Sequence, residues 1–254
     1  MGHVGRDRMR RALARFVDLE TARGLEIGPL DRPVLDKSRH RVEYLDLDTA
    51  DAARTRLEKD PQRSPETVVE VDYPLKGETM SAVVPNQAFD YIFASHVFEH
   101  FPDVIGWLQD AAKVLRPGGR VLLFVPDRRF MFDLARPCTT LGQLIENHLV
   151  GKKKPSIGAI IDHHYYKMDV TPAQLWKQPA PDRRKALTRT EVDNLIDISS
   201  RRYVDTHCSV FTAISFHETM SLLHELEFQP FLIEALSGPE IGMNDFFASL
   251  VLRG

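Results

Sequence analysis

The sequence predicts a doubly wound α/β fold: a mostly parallel seven-stranded sheet with an antiparallel last strand and an inserted cap. Three observations carry this. Short apolar runs alternate with helix-period stretches from Gly24 to Val125, the rhythm of parallel strands joined by right-handed crossovers. A polar stretch, 128–211, then interrupts the alternation after a central strand, where an insertion would lie over the strand ends. Two apolar runs close the chain around a turn with Gly238, Pro239 and Gly242, the layout of antiparallel neighbours. The expectation is one domain, 1–254, with 128–211 as its substrate-cap region.

Size and composition narrow the class. A chain of 254 residues can bury one α/β core. With 43% hydrophobic and 27% charged residues it is globular rather than disordered. Thirty-three Lys and Arg against 36 Asp and Glu leave a net charge of -3, which supplies no broad positive field for nucleic acid. Cys138 and Cys208 lack C-x-x-C spacing, which argues against a disulfide framework and a structural zinc site. The N-terminal segment has no signal-peptide core, and no apolar run approaches the ~20 residues that span a bilayer. A cytoplasmic enzyme follows as the expectation; the oligomeric state stays open.

The elements follow in order. Met9, Leu13, Phe16 and Val17 recur at helical spacing, so Arg8 to Leu19 reads as an amphipathic helix with Arg10, Arg11 and Arg15 on its solvated side. Strands are expected at Gly24–Gly28, Val42–Leu47, Thr67–Val71, Phe89–Ser95 and Arg120–Val125. Between the last two, Val104, Ile105, Leu108, Ala112 and Leu115 share one helical face, and Pro117-Gly118-Gly119 is expected to stop that helix. Within the cap, Thr188 should cap a helix from Glu191 to Ser199. Ser215 and Glu218 have capping-box spacing for a later helix, and Phe231–Leu236 and Phe246–Leu252 form the final strands.

In an open parallel sheet, ligands bind beyond the carboxyl ends of the strands, where strand order reverses. The first such loop contains Gly28, which allows close backbone approach to a ligand. Leu30 and Pro33 stand where G-x-G-x-x-G would place glycines, which weighs against the pyrophosphate of NAD or FAD. The second strand ends near Asp46 and Asp48; a carboxylate there can accept both hydroxyls of a ribose, and Asp46 has the better phase.

The segments LEIG (Leu25–Gly28), YLDL (Tyr44–Leu47), FDYIFASHVFEH (Phe89–His100) and VLRPGGRVLLFVPD (Val114–Asp127) occur in the order and spacing of a known family. Here the chain resembles the class I, Rossmann-like methyltransferases that use S-adenosyl-L-methionine, especially the subgroup with H-x-x-E-H after strand four. That resemblance implies the cofactor S-adenosyl-L-methionine and a small-molecule or glycan acceptor methylated at oxygen or nitrogen. Carried over residue by residue, it places Glu26 and Gly28 at the methionine end, Asp46 on the ribose and Asp72 at the adenine amino group. Ser95 and His96 would lie beside the sulfonium and the acceptor. The second glycine of the family's usual G-x-G is missing.

Methyl transfer to an amine or hydroxyl needs a proton acceptor, and imidazole suits neutral pH. His96 and His100 are both candidates; His100 is preferred, with Glu99 as the neighbour that raises its basicity. H-x-x-E-H is also the inverted zinc-protease motif, but that motif belongs inside a long helix and His96 directly follows a buried strand. No metal ligand is assigned, although the resemblance includes members that hold a divalent ion with acidic and His residues after strand four. In the cap, Asp162-His163-His164-Tyr165-Tyr166 and Asp205-Thr206-His207-Cys208 suit either a polar acceptor or attachment of the cap; Trp107 and Trp176 suit packing. Two alternatives to a methyltransferase remain: a catalytically degenerate relative that keeps the fold, and an NAD-linked oxidoreductase.

Overall fold

The computed structural model describes residues 3–58, 60–61, 63–178 and 186–253. Its strands are β1 (Gly24–Ile27), β2 (Val42–Asp46), β3 (Tyr73–Pro74), β4 (Phe89–Ser95), β5 (Leu115–Pro126), β6 (Phe231–Ser237) and β7 (Asp245–Leu252). They form one sheet in the order β3-β2-β1-β4-β5-β7-β6. Neighbours from β3 to β5 pair in parallel, and β7 runs antiparallel between β5 and β6.

The helices are α1 (His3–Leu13), α2 (Ala50–Leu57), α3 (Met80–Val83), α4 (Val104–Val114) and α5 (Leu141–Leu149), then α6 (Ile157–Tyr166), α7 (Pro172–Leu175), α8 (Arg189–Arg201) and α9 (Ala213–Glu225). They cover the sheet on two sides, which explains why β4 and β5 read as continuous apolar runs. Along β5, Val121, Leu123 and Val125 join the core that includes α4 and α9, while Leu122 and Phe124 join the core that includes α1.

Four local expectations change. The third strand is Tyr73–Pro74, not Thr67–Val71; Pro65–Thr67 forms a 3₁₀ turn because Pro65 sets the helical φ at its start. α1 begins at His3 and ends at Leu13, where Phe16 N–H bonds Leu13 O at 2.9 Å and tightens the chain into turns. α4 ends at Val114, before Pro117-Gly118-Gly119. That tripeptide makes a turn inside β5, with Gly118 at φ +75 and the register jumping between Phe89 and Tyr91. α9 is capped by Thr212, whose box partner is Ser215, rather than by Ser215 and Glu218.

The 128–211 stretch holds more regular structure than its composition suggests. α8 is capped by Thr188 and Glu191 as expected, but α5, α6 and α7 accompany it. α5 packs against α4 and α9 on the flank of the sheet. Asp127 and Phe211 form a parallel bridge that closes the base of the insertion. Trp176 stacks on Phe130 and donates to Met243 O at 2.7 Å, tying α7 to the loop before β7.

β1 and β4 meet at an unusually close contact. A Cβ built on Gly24 would lie 2.1 Å from Cζ of Tyr91, so the strand accepts no side chain there. Tyr91 is fully buried and its hydroxyl has no hydrogen-bond partner among the described residues. Gly24→Ala should therefore destabilise the fold by roughly 1–3 kcal/mol through overpacking. Tyr91→Phe should leave stability unchanged or raise it by about 1 kcal/mol, because it removes an unpaired buried hydroxyl. Urea unfolding of both variants measures this; a large loss in Tyr91→Phe would contradict the contact.

Candidate functional site

Strand order reverses between β1 and β4, so the loops after β1, β2 and β4 converge at one edge of the sheet. Gly28 sits there at φ +66, and a Cβ on it would approach Val97 Cγ2 to 3.0 Å. Its N–H donates to Leu45 O at 2.8 Å, fixing the loop against β2. Leu30 takes the left-handed conformation (φ +46) that a glycine normally fills. Its side chain packs against the cluster of Ala50, Ala53, Leu57 and Val68.

Glu26 is buried, and its two oxygens accept from Val34 N at 2.7 Å and Leu35 N at 2.9 Å. It shapes the returning loop. Burial raises its pKa to about 7, against the lowering effect of those two amides. Asp46 is 5% exposed; one oxygen accepts from Leu47 N at 2.7 Å, and the other is buried with no partner among the described residues. Burial raises its pKa as well. Asp48, two residues beyond the end of β2, is exposed.

Asp72 stands differently from its expected place. Because β3 starts at Tyr73, Asp72 precedes the strand, and it accepts from Tyr44 N at 2.7 Å and pairs with Lys37 at 2.5 Å. It stabilises the amino side of β3 rather than facing the carboxyl ends.

Ser95 and His96 follow β4. Ser95 Oγ contacts Met9 Sδ at 3.7 Å. His96 lies at φ +54, its N–H donates to Phe124 O at 2.9 Å, and its Nε2 is 3.2 Å from Asp245 Oδ2. Burial disfavours the imidazolium, but the Asp245 bond and the charges of Glu99 and Asp245 outweigh it and raise the His96 pKa. Asp245 also binds Arg8, whose guanidinium lies 4.9 Å from the centre of the Phe124 ring. Neither Arg8 nor Asp245 stood out in the sequence; an acidic residue opening an otherwise apolar strand was the available signal.

Phe98–His100 forms a 3₁₀ turn, not the long helix a zinc protease would need. The turn buries Glu99, 2% exposed, with neither carboxylate oxygen hydrogen-bonded among the described residues. Its Oε1 lies 4.0 Å from His96 Nδ1, 3.7 Å from His100 Nε2 and 3.8 Å from His207 Nε2. On their far sides, His100 Nδ1 meets Asp205 at 2.8 Å and His207 Nδ1 bonds the buried Asp133. Burial would raise the pKa of both aspartates, but their imidazole partners outweigh it and lower them. His163 from α6 lies edge-on to His207, and burial pushes its pKa down to about 4, so it is neutral at physiological pH. The structure thus brings the cap's His163, Asp205 and His207 to the H-x-x-E-H turn and adds Asp133. Trp107 stacks on Phe101 as packing.

Comparisons with known proteins agree with this architecture. A family model described as a methyltransferase domain matches residues 1–223. No curated protein matches the chain. A Rhodobacter sphaeroides structure provisionally named a Zn-dependent alcohol dehydrogenase aligns with TM-score 0.50 and 16% identity, over 97% of this chain and 89% of the other. At that identity the likeness concerns the fold alone. An S-adenosylmethionine-dependent methyltransferase from Mesorhizobium loti aligns with TM-score 0.47 and 13% identity, over 95% and 96%. One described as a SAM-dependent methyltransferase from Methanosarcina mazei aligns with TM-score 0.48 and 11% identity, over 95% and 97%.

The buried Glu26 makes stability depend on pH. Its folded pKa of about 7 exceeds the ordinary 4.5, so between those values the folded chain holds more of the proton than the unfolded chain does. This contribution is greatest below pH 4.5 and is lost as pH rises through about 7, by on the order of 3 kcal/mol. Glu26→Gln should flatten that part of the profile, as measured by urea unfolding at pH 5, 6, 7 and 8. An unaltered slope would show that Glu26 ionises normally.

Proposed function

The chain belongs to the methyltransferase domain family, and from that premise we propose that it transfers the methyl group of S-adenosyl-L-methionine to an oxygen or nitrogen of a small-molecule or glycan acceptor. The observation that carries the cofactor assignment is the unpartnered, buried Oδ2 of Asp46 at the carboxyl end of β2. Such an oxygen is costly to leave unsatisfied, and a ribose diol supplies the missing donors. Gly28 supports the same reading, since its φ of +66 disfavours a side chain and its bare backbone can approach a ligand closely. Glu26 holds the loop that carries Gly28. Asp72 is already engaged by Tyr44 N and Lys37, which weighs against its expected role at the adenine.

When bound, the cofactor supplies an electrophilic methyl group on a sulfonium. The protein must then align the acceptor and remove its proton. His96 fits the second task better than His100. The nearby Asp245 carboxylate, held ionised by His96 and Arg8, accepts a hydrogen bond from Nε2–H and so leaves the lone pair on Nδ1. Ser95 stands beside it as an acceptor contact. His100 is held by Asp205 and faces Glu99. The polar aromatic residues of α6, His163, His164 and Tyr165, favour a hydroxylated acceptor. Leu30 in place of a glycine favours a second reading, a protein that binds the cofactor without turnover.

Calorimetry with S-adenosylhomocysteine should show micromolar binding that weakens roughly 100-fold in Asp46→Ala, the loss of two charge-assisted hydrogen bonds. The variant's melting temperature should not fall. Binding of NADH instead would favour an oxidoreductase. A labelled-methyl screen of nucleotide sugars, free glycans and small amines identifies the acceptor. On that acceptor His96→Asn, which tolerates the left-handed backbone, should lower kcat by about 100-fold or more and change S-adenosylhomocysteine affinity far less. Binding without transfer to any class would support the second reading.

A further inference from the structure

We propose that Glu99, His100 and His207 bind a divalent first-row transition-metal cation. Each offers a ligand atom, and the three atoms lie within 4.8 Å of one another. Glu99 makes the strongest case. Both its oxygens are buried without a hydrogen-bond partner among the described residues, and the carboxylate is ringed by His96, His100 and His207.

The spacing separates this arrangement from an ordinary hydrogen-bonded cluster. Glu99 Oε1 lies 3.7 Å from His100 Nε2 and 3.8 Å from His207 Nε2. These gaps exceed the ~2.7–3.2 Å of a hydrogen bond. Two ligands each ~2.0–2.2 Å from one cation are themselves ~3–4 Å apart, which the gaps match. The two rings stand nearly perpendicular, at 85°, with centroids 4.9 Å apart, so their inner nitrogens converge from different directions.

The outer nitrogens are equally informative. Asp205 holds His100 Nδ1 and Asp133 holds His207 Nδ1. An aspartate that accepts the Nδ1 proton leaves a lone pair on Nε2, facing Glu99, and a carboxylate behind each histidine is how proteins orient metal-binding imidazoles. Two imidazoles and one carboxylate select zinc, manganese, iron or cobalt over magnesium and calcium, which prefer oxygen ligands throughout. The ligand set also differs from the inverted-protease reading of H-x-x-E-H. His96 is directed to Asp245, Glu99 becomes a ligand, and the second histidine comes from the cap.

Cation binding does not depend on the methyl-transfer reading. Only a role in that reaction, lowering the pKa of an acceptor hydroxyl near His96, rests on it. The test therefore uses the full chain without cofactor. Chelator-treated protein is titrated with Co²⁺, followed by its visible absorption bands, and Zn²⁺ is then added as competitor. One Co²⁺ per chain should bind with micromolar or tighter affinity and be displaced by Zn²⁺, while Mg²⁺ should not compete. Glu99→Gln and His207→Ala should weaken binding by about 100-fold or more, and Asp205→Asn by about 10–100-fold through the orienting bond. The Asp205 side chain is 72% exposed, so its variant should fold even if a buried substitution does not. Absence of saturable Co²⁺ binding to the wild-type chain overturns the proposal, as does unchanged affinity in Asp205→Asn.

Discussion

The fit of β1 against β4 is the constraint on which the rest of this molecule depends. Gly24 leaves the space that Tyr91 fills, and Gly28 leaves the space that Val97 approaches, so two glycines at either end of one short strand set how near the two elements come. The parallel register of Gly24 with Tyr91 and Ile27 with Ala94 then brings the loop after β1 level with Ser95 and His96. Crossovers leave in opposite directions from this seam, and a crevice results without any ligand having to open it.

That crevice is lined by carboxylates, and the way each is satisfied separates structural from chemical roles. At the opposite edge Asp90 accepts from Arg23 N at 2.7 Å and pairs with Arg116 at 2.6 Å, leaving little unsatisfied. Asp127, fully buried, accepts from Arg129 and Ala213 N and closes the base of the insertion. Asp46, Glu99 and Asp133 behave differently. Each is buried and keeps an oxygen with no partner among the described residues; Asp46 ends β2, Glu99 lies in the turn after β4 and Asp133 in the insertion. Burying a carboxylate oxygen without a donor costs free energy, so at these three residues the fold leaves its largest polar demands unmet.

Much of this was legible in the sequence because it is local. Apolar runs marked β1, β2, β4, β6 and β7 to within a few residues and the carboxyl-terminal part of β5, and β2 ends at Asp46, which leaves Asp48 beyond it. The errors are local too. Val68 and Val71 suggested a strand, but Pro65 winds the preceding residues into a 3₁₀ turn and pairing starts only at Tyr73, which moves Asp72 to the wrong end of the strand. The Pro-Gly-Gly sequence suggested a helix stop, yet the helix had already ended and the glycines absorb a bulge. What could not be read was long-range: His96 with Asp245, Glu99 with His207 and His100 with Asp205 are joined across more than a hundred residues. No periodicity encodes such pairs. They appear only once the cap has folded back and β7 has inserted between β5 and β6.

The backbone at His96 links these levels. A left-handed φ of +54 is uncommon for a side-chain-bearing residue, and it ends β4 by turning the chain out of the sheet. A cost of about 1–2 kcal/mol attaches to such a conformation. The bonds to Phe124 O and Asp245 hold it in place. The turn that follows sends Val97 toward Gly28 and drives Glu99 into the interior, where an extended strand would have placed both on one face of the sheet. One strained residue therefore sets both halves of the site: the narrow approach to the β1 loop on one side and the unpaired carboxylate among imidazoles on the other. Relaxing it would separate the two, so the conformation of this one residue couples the β1 loop to the buried carboxylate.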